Sequence, residues 1–530
     1  MVFDYIVVGG GSAGAVVASR LSEDPNVSVC LLESGPVDKS VLIHAPAGVV
    51  AMMPRKNKLN YAFETVPQKG LNGRRGYQPR GRCLGGSSSV NAMLYVRGHR
   101  ADYDHWTALG NAGWSYAEVL PYFKRSEHNE NIHDEFHGQG GPLNVMNLRS
   151  PGALNAEFIK ACEEQGIAAT ADCNGAEQDG ALEYQVTHIN GERCSAAKAY
   201  LTPNLSRPNL EVMTQTPVLQ ILLDGKTATG VRVKREGQTL DLRARREVIV
   251  CGGAFNSPQL LMLSGIGPGA HLQDRGIAVA HDLPGVGENL QDHIDIVHSY
   301  RAPNSDTFGL SFGFMPKILA AMLQWRRQRS GLITSPYAEA GAFFRSSEAD
   351  GRPDLQLILV RALVDDHGRK IRMGHGFSSH CTLLNPQARG SVRLASNDPL
   401  ADPLIDPCFL DNERDMRVFK EGARKQLAVL NAAALSPWRG DMLYPLNPDD
   451  DAALEEDLRN RADTQYHPVG TCKMGQDDGA VVDHRLRVHG IAGLRVADAS
   501  IMPTLVAGNT NAPTIMIGEK AADMIREDAA

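Results

Sequence analysis

Several features that would narrow the class of protein are missing from this chain of 530 residues. No apolar run approaches the roughly 18 residues of a membrane-spanning helix, so none is predicted. The first residues carry no basic cluster and no cleavage site, so no secretory signal is predicted. Basic residues are not in excess either, because 54 Lys and Arg stand against 61 Asp and Glu, a net charge of -7. Nucleic acid is therefore not expected as a partner.

Cysteine is present, but its pattern excludes two common uses. The nine cysteines are scattered and none of them form a C-x-x-C pair. An odd, dispersed set is typical of reduced thiols in a cytoplasmic compartment. No metal-ligand spacing is visible, so no metal is predicted. Internal repeats and low-complexity segments are also missing. The chain is too long to fold around one simple hydrophobic core, so two structural regions are expected.

Glycine is abundant, at 52 residues, and the first glycine-rich loop lies close to the N-terminus. Asp4–Val8 is an apolar run typical of a buried parallel strand, and Gly9-x-Gly11-x-x-Gly14 follows it. Residues 15–21 then predict a helix, and Val27–Leu32 a second strand that ends at Glu33. This order of strand, turn, helix and strand is the βαβ opening of a nucleotide-binding fold.

Each glycine of that loop has a separate physical reason. Gly9 permits the tight turn, Gly11 lets the backbone approach a pyrophosphate, and Gly14 lets the helix pack on the strand. Amide groups at the helix start then face the phosphates, assisted by the helix dipole. Glu33 would accept hydrogen bonds from the ribose hydroxyls. The loop predicts a dinucleotide site and leaves FAD and NAD as alternatives.

Strand patterns of the same kind return much later in the sequence. Glu247–Cys251 and Leu494–Ala497 are short apolar runs, and residues 514–526 predict the last helix. Pieces of the nucleotide-binding fold therefore lie at both ends of the chain. The sequence predicts a discontinuous fold with a second region inserted between its parts.

Five ordered motifs carry a resemblance to a known family. They are Pro79–Asn91 (PRGRCLGGSSSVN), Gly253–Gly267, Asn289–His293, Tyr466–Thr471 and Asp498–Pro503, the last continuing to Asn511. Together they resemble the glucose-methanol-choline oxidoreductases over nearly the whole chain. The resemblance implies FAD rather than NAD. It also implies an α/β fold, in which a discontinuous Rossmann-like FAD-binding domain holds an inserted α+β substrate-binding domain with an antiparallel sheet and helices.

The resemblance gives approximate domain limits. Residues 1–300 would belong mostly to the FAD-binding region, with a substrate-domain insert at about 155–205. Residues 301–464 would form most of the substrate-binding region. Residues 465–530 would return to the FAD-binding domain and supply the catalytic residues.

A set of cofactor contacts is implied in the same way. The predicted residues are Gly9, Gly11, Ser12, Ala13, Gly14, Glu33, Ser34, Leu84, Gly85, Gly86, Ser87, Asn91, Ala92, Met93, Val218, Asp498, Ala499, Asn511, Pro513 and Thr514. Gly85 and Gly86 would let the backbone come close to the isoalloxazine ring. Some choline oxidases bond FAD covalently through a histidine at the position of Val90. Valine cannot form that bond, so non-covalent FAD is implied.

The catalytic residues are also assigned from the motifs. A neutral imidazole can take the hydroxyl proton of an alcohol, and His467 matches the family's catalytic histidine. Asn511 is assigned as the second residue, which hydrogen-bonds the substrate oxygen. Asn509 lies two residues away and is the alternative for that role.

The resemblance is strongest to bacterial alkanol dehydrogenases and choline dehydrogenases. It implies oxidation of a primary aliphatic or aromatic alcohol to the aldehyde, with electrons passed to a quinone-like acceptor. Three alternatives stay open. They are a choline dehydrogenase, an alcohol oxidase that uses oxygen, and a hydroxynitrile lyase, which holds FAD but performs no redox reaction.

Two further segments have two interpretations each. Glu339 begins an E-x-G-x-F segment that, in choline-oxidising relatives, places a carboxylate beside the trimethylammonium group. Its alternative is a pocket-wall carboxylate tied into a hydrogen-bond network.

Residues 315–329 predict an amphipathic helix with a basic last turn. It is either a surface or lid helix or one that contacts a membrane surface or another subunit. A cytoplasmic protein is expected, with peripheral contact at the inner face of a membrane as the second interpretation.

Overall fold

Two seven-stranded sheets carry the fold. The structure is a computed structural model that describes residues 1–303 and 306–529. The first sheet takes its strands from residues 2–32, 210–250 and 494–496, and the second takes its strands from residues 180–183 and 294–464. The two sheets meet at a long cavity, so their edges and faces decide which side chains reach it.

The first sheet has a parallel core and an antiparallel extension. Its strands are Val2–Val8, Val29–Leu32, Leu210–Met213, Val218–Asp224, Thr227–Arg235, Gln238–Val250 and Leu494–Val496. The long strand Gln238–Val250 belongs to both parts. Its first half pairs antiparallel with Thr227–Arg235, and its second half pairs parallel with Val2–Val8 and Leu494–Val496. The predicted discontinuous Rossmann-like core is confirmed.

The register of the parallel strands places their carboxyl ends side by side. Val8 pairs with Leu32 and with Val250, and Val250 pairs with Val496. The loops that follow these four strands therefore share one edge of the sheet. In α/β sheets this edge is where ligands bind.

The two terminal helices begin next to each other at this edge, where the Ser12 hydroxyl donates to Asn511. The first begins at Ser12, earlier than the predicted residue 15, and ends at Leu21. The last is Asn511–Ala529, longer at both ends than the predicted 514–526. The two helices pack against each other, so the start of the chain is covered by its end.

The second sheet is antiparallel throughout. Its strands are Gly180–Glu183, Ile294–Arg301, Gly309–Leu310, Ala338–Phe344, Leu355–Val360, Gly374–Leu383 and Asp463–Thr464. Helices Ala153–Glu164 and Glu413–Asn431 pack on one face, where apolar side chains form a core. Gly180–Glu183 joins the sheet from inside the segment 155–205. The expected antiparallel sheet with helices is confirmed, and the exact domain limits stay a prediction.

The remaining elements are shorter or lie around the two sheets. The other α-helices are Val41–His44, Val49–Met52, Arg100–Ala108, Tyr116–Ser126, Gly253–Leu263, Gly269–Asp274, Met315–Gln328 and Asp451–Arg461. Pairs of short strands are Phe63–Glu64 with Tyr77–Gln78, Glu127–Asn129 with Leu143–Val145, His188–Ile189 with Glu192–Arg193, Ile266–Gly267 with His281–Asp282, and Ser391–Arg393 with Leu404–Asp406.

The amphipathic helix predicted at 315–329 is present as Met315–Gln328. Arg329 ends it in the left-handed conformation, with φ of 54°. Ala321 and Trp325 form its buried side, and the Trp325 Nε1–H donates to the carbonyl of Gly191. Across the two described ranges, no helix combines the length and apolar character needed to cross a membrane.

Candidate active site

A cavity of about 930 Å³ runs from the carboxyl edge of the first sheet to the open face of the second. This volume is near the upper end of the range for ligand sites, about 300–1,000 Å³. At one end its wall consists of the loops that follow the parallel strands. At the other end strands Ala338–Phe344 and Leu355–Val360 contribute apolar side chains.

The first glycine loop has the geometry that the sequence predicts. Gly9 has a φ of +106°, and a Cβ there would lie 2.4 Å from the carbonyl oxygen of Cys251. A Cβ on Gly14 would lie 1.9 Å from the carbonyl oxygen of Gly9, which only a glycine allows at this contact of helix and strand. Gly11 instead faces the cavity across from Gly86.

The first helix offers free donors to the cavity. Ser12 and Ala13 line it, and the helix start has no side-chain cap. The N–H groups of a first helical turn lack intrahelical acceptors. A helix start of this kind binds phosphate groups.

Glu33 is held in place at the end of the second strand. Its Oε2 accepts a hydrogen bond from the Gly10 amide at 3.0 Å, and its Oε1 accepts one from the Gly35 amide at 2.7 Å. Burial raises the pKa of this carboxyl. The residue lines the cavity, as do Ser34 and Val218.

Most of the predicted cofactor residues reach the cavity, and four do not. Leu84, Gly85, Gly14 and Pro513 are absent from its wall. Leu84 is buried against the Gly10 region, and a Cβ on Gly85 would lie 2.2 Å from the Ser89 hydroxyl oxygen. Leu84 and Gly85 shape the second glycine-rich loop, whereas Gly14 and Pro513 lie in the first and last helices.

The second glycine-rich loop is fixed by a buried arginine that the sequence analysis did not single out. Arg193 donates to the carbonyl of Ser88 at 3.1 Å and to Oδ1 of Asn91 at 2.6 Å. The Met93 amide donates to the same Oδ1 at 3.1 Å. Because Oδ1 already has two donors, the Nδ2 group of Asn91 is the part of the amide left for a ligand in the cavity.

His467 lies at the junction of the two parts of the cavity, in a chain of hydrogen bonds. His293 Nε2 lies 3.0 Å from the carbonyl of Leu384, an acceptor, so this nitrogen carries the proton. His293 Nδ1 is then an acceptor, and His467 Nδ1–H donates to it at 2.9 Å. This leaves His467 Nε2 with its lone pair.

Burial keeps both imidazoles neutral. It lowers the pKa of His293 to about 3 and holds the pKa of His467 well below its usual 6.5, with His293 and Arg80 adding to the effect on His467. Asp292 accepts the His467 amide at 2.8 Å and fixes the backbone. The arrangement can accept a proton at Nε2 at neutral pH.

The structure changes the assignment of the two asparagines. Nδ2 of Asn509 lies 3.2 Å from His467 Nε2. Asn511 begins the last helix, and its Oδ1 accepts a hydrogen bond from the Ser12 hydroxyl at 2.8 Å. Asn509, and not Asn511, is therefore the asparagine in contact with His467. The mistake arose because an N-x-N spacing gives no indication of where the helix begins.

Two amide side chains at this point have polar atoms without a partner inside the protein. Oδ1 of Asn509 and both polar atoms of Gln465 are buried without a hydrogen bond. Leaving such a group unpaired costs about 1–3 kcal/mol, so a bound polar ligand is the fitting partner. Gln465 was missed by the sequence analysis, although it lies two residues before His467.

Glu339 does not reach the cavity, so the structure contradicts its placement beside the substrate and agrees with the hydrogen-bond network of the second interpretation. The side chain is fully buried, and the residue is not part of the wall. Its carboxylate accepts hydrogen bonds from Arg361 at 2.9 Å, Ser335 at 2.5 Å, Asn155 at 3.0 Å and the Gly152 amide at 2.9 Å. Its oxygens are used in an internal ion pair and hydrogen bonds.

The wall on the second-sheet side of His467 is mainly apolar. Among its described residues are Phe308, Leu310, Phe314, Met315, Ile318, Tyr337, Ala338, Ile358, Val360, Ala362, Leu363, Val364 and Ile371. The carboxylates among the described lining residues are Glu33, Asp402 and Asp498. Glu33 and Asp498 lie at strand ends of the first sheet, and Asp402 is paired with Lys56 at 3.1 Å.

Family models described as GMC oxidoreductase match residues 3–295 and residues 386–518. The chain is a GMC oxidoreductase. It is 44% identical over 529 residues to an alcohol dehydrogenase (acceptor) of Pseudomonas putida, covering 99% of this chain and 95% of that one. It is 42% identical over 534 residues to the mitochondrial choline dehydrogenase of Homo sapiens, covering 99% and 90%.

A solved structure has the same fold. The crystal structure of pyridoxine 4-oxidase from Mesorbium loti has a TM-score of 0.89 and 32% identity, and 99% of each chain is covered. The 530-residue chain, as a GMC oxidoreductase, is itself a flavoprotein that binds FAD and acts on CH–OH donors. The cavity fits the cofactor, because it joins an uncapped helix start, two facing glycine loops and unpaired amides beside His467.

Proposed function

We propose that this GMC oxidoreductase oxidises uncharged primary alcohols with apolar chains to aldehydes and passes the electrons to a quinone-like acceptor. The proposal depends on one observation above all. The cavity wall beyond His467 is mainly apolar, its charged side chains are the cations Lys370 and Arg372, and none of its described members on that side is a carboxylate. A cationic substrate would therefore have no counter-charge there, and burying an unpaired charge is costly.

The roles of the residues follow from their contacts. His467 Nε2 would take the hydroxyl proton of the alcohol, and the His293–Leu384 chain would keep the ring in the required tautomer. The Nδ2 group of Asn509 would hold the substrate oxygen beside Nε2. FAD, when bound, supplies the acceptor for the hydride that leaves the carbon.

The cofactor would be held by groups already described. Backbone amides of Ser12 and Ala13 would face the pyrophosphate, Glu33 the ribose, and Asn91 Nδ2 the isoalloxazine ring. Val90 is buried and offers no nucleophile, so we infer that FAD is held without a covalent bond.

Substrate preference is the first prediction. Uncharged primary alcohols should bleach the flavin under anaerobic conditions and, in turnover with an artificial electron acceptor, should have a higher kcat/KM than choline. Glu339→Gln should change the ratio of the two kcat/KM values by less than about tenfold, or 1.4 kcal/mol, because Glu339 does not face the cavity. Choline as the best substrate, with its turnover lost in Glu339→Gln, would overturn the proposal. No bleaching by any alcohol would favour a hydroxynitrile lyase.

The electron acceptor is the second prediction. The two relatives compared by sequence are dehydrogenases by name, one of them specified for an acceptor, whereas the similar solved structure is an oxidase by name. After reduction by alcohol, the flavin should be reoxidised faster by a soluble quinone than by air-saturated buffer. Stopped-flow absorbance measures both rates. Faster reoxidation by oxygen would place the enzyme among the oxidases instead.

A further inference from the structure

Exposed apolar side chains are concentrated at the mouth of the cavity. We call this surface the mouth patch, and its residues are exposed by 46% to 94%: Leu310, Phe312, Met315, Leu319, Met322, Leu323, Ile371 and Met373. Phe312, at 94%, is the most exposed of the large apolar residues described. Exposed apolar surface gathered in one place marks an interaction site.

The patch is formed by residues 310–323 and 371–373, and these two segments are in contact. Leu310 pairs with Gly374, the neighbour of Met373, in the second sheet. The rings of Phe314 and His375 lie 5.0 Å apart between their centres. The patch is therefore one surface rather than two separate ones.

The mouth patch is also the rim of the substrate end of the cavity. Leu310, Met315 and Ile371 belong both to the patch and to the cavity wall. Ile318 lines the cavity from the same helix on which Leu319 and Leu323 point outward. A molecule that leaves an apolar phase at the patch would enter directly into the apolar half of the cavity.

The charge around the patch differs in sign from that of the whole protein. Arg329 is paired with Glu192 at 3.0 Å, so Arg326 and Arg327 supply the basic charge of the last helical turn beside the patch, whereas the net charge of the chain is -7. Arg326 and Arg327 are exposed, one turn beyond Met322 and Leu323. Apolar residues flanked by exposed cations are typical of helices that lie in the interface of an anionic bilayer.

We propose that the mouth patch docks on an anionic lipid bilayer, so that the helix Met315–Gln328 lies in the headgroup region and the cavity opens toward the lipid. Apolar alcohols and quinones partition into bilayers, so docking would bring the enzyme to its proposed substrate and acceptor. This benefit rests on the proposed function. The docking itself depends only on the exposed surface and its charge.

Vesicle flotation of the purified holoenzyme tests the docking. Vesicles of phosphatidylglycerol and phosphatidylcholine in equal parts should bind the enzyme, and vesicles of phosphatidylcholine alone should bind it at least about tenfold more weakly. The double variant Leu319→Asp, Leu323→Asp should lose binding by more than about tenfold, because each leucine contributes by leaving water. Arg326→Glu with Arg327→Glu should abolish the preference for phosphatidylglycerol.

A matched control comes from the same chain. Leu205 is 51% exposed, as is Leu323, but lies outside the patch, so Leu205→Asp should bind vesicles like the unaltered enzyme. The leucine double variant should keep its turnover of a short, water-soluble alcohol with a soluble dye, because neither leucine lines the cavity. Its turnover with quinone embedded in the mixed vesicles should fall at least about tenfold.

The outcomes separate this inference from the proposed function. An unaltered enzyme that turns over alcohol normally but does not float with mixed vesicles would overturn the docking and leave the function standing. A dimer that the leucine double variant converts to a monomer, without vesicle binding, would assign the patch to a second copy of the chain. Vesicle binding without turnover of apolar alcohols would overturn the function and not the docking.

Discussion

His467→Ala should slow the reduction of the flavin by alcohol by about 10²–10⁴-fold, because the general base is removed while the cavity and the cofactor groups stay in place. Anaerobic stopped-flow absorbance of the bound flavin measures this rate. Since burial holds the pKa of His467 well below 6.5, the base is deprotonated throughout neutral pH. The rate in the unaltered enzyme should therefore decline only at a pH below 6.5, the usual pKa of this side chain.

The two asparagines provide a matched pair for this experiment. Asn509→Ala should lower the rate of flavin reduction by about 10²-fold, because a donor to the substrate oxygen is lost. Asn511→Ala should mainly weaken retention of FAD, because it removes the hydrogen bond with Ser12. A normal rate in His467→Ala would refute the base, and a larger rate loss in Asn511→Ala than in Asn509→Ala would restore the original assignment.

Glu339→Ala should lower the free energy of unfolding by about 3–5 kcal/mol, because it leaves the guanidinium of Arg361 buried without its carboxylate. Chemical denaturation, followed by circular dichroism, measures the change. The exposed pair of Arg345 and Asp179 provides the control. Arg345→Ala should cost about 0–1 kcal/mol.

A second variant separates loss of the ion pair from loss of packing. Glu339→Met together with Arg361→Met removes both charges and keeps much of the volume, so it should be more stable than Glu339→Ala. If the double variant is as unstable as Glu339→Ala, the shape of the side chains rather than the buried charge is what matters at this position.

The parallel core could be predicted from the sequence because its determinants are local. A short apolar strand, a glycine loop and an acidic residue at the next strand end lie within the first 33 residues, and their spacing follows from the geometry of a βαβ unit. The structure lengthens the strand, moves the helix start to Ser12 and leaves the arrangement unchanged.

The partners of the site could not be predicted in the same way. His293 lies 174 positions before His467, and Arg193 lies 102 positions after Asn91, so no local pattern connects them. The two interpretations of Glu339 could not be separated, because its motif does not indicate which face of a strand the carboxylate occupies. Asn509 and Asn511 are two positions apart at a helix start, so their side chains point in different directions, and the sequence does not show which one faces His467.

The contact between Ser12 and Asn511 joins positions 499 residues apart. During synthesis the glycine loop leaves the ribosome first, and the helix that covers it leaves almost last. At about 5–20 residues per second, the first strand waits roughly 25–100 s for that cover. The cofactor site is thus completed only when translation ends, and until then the nascent chain has to keep its apolar strands from pairing with other chains.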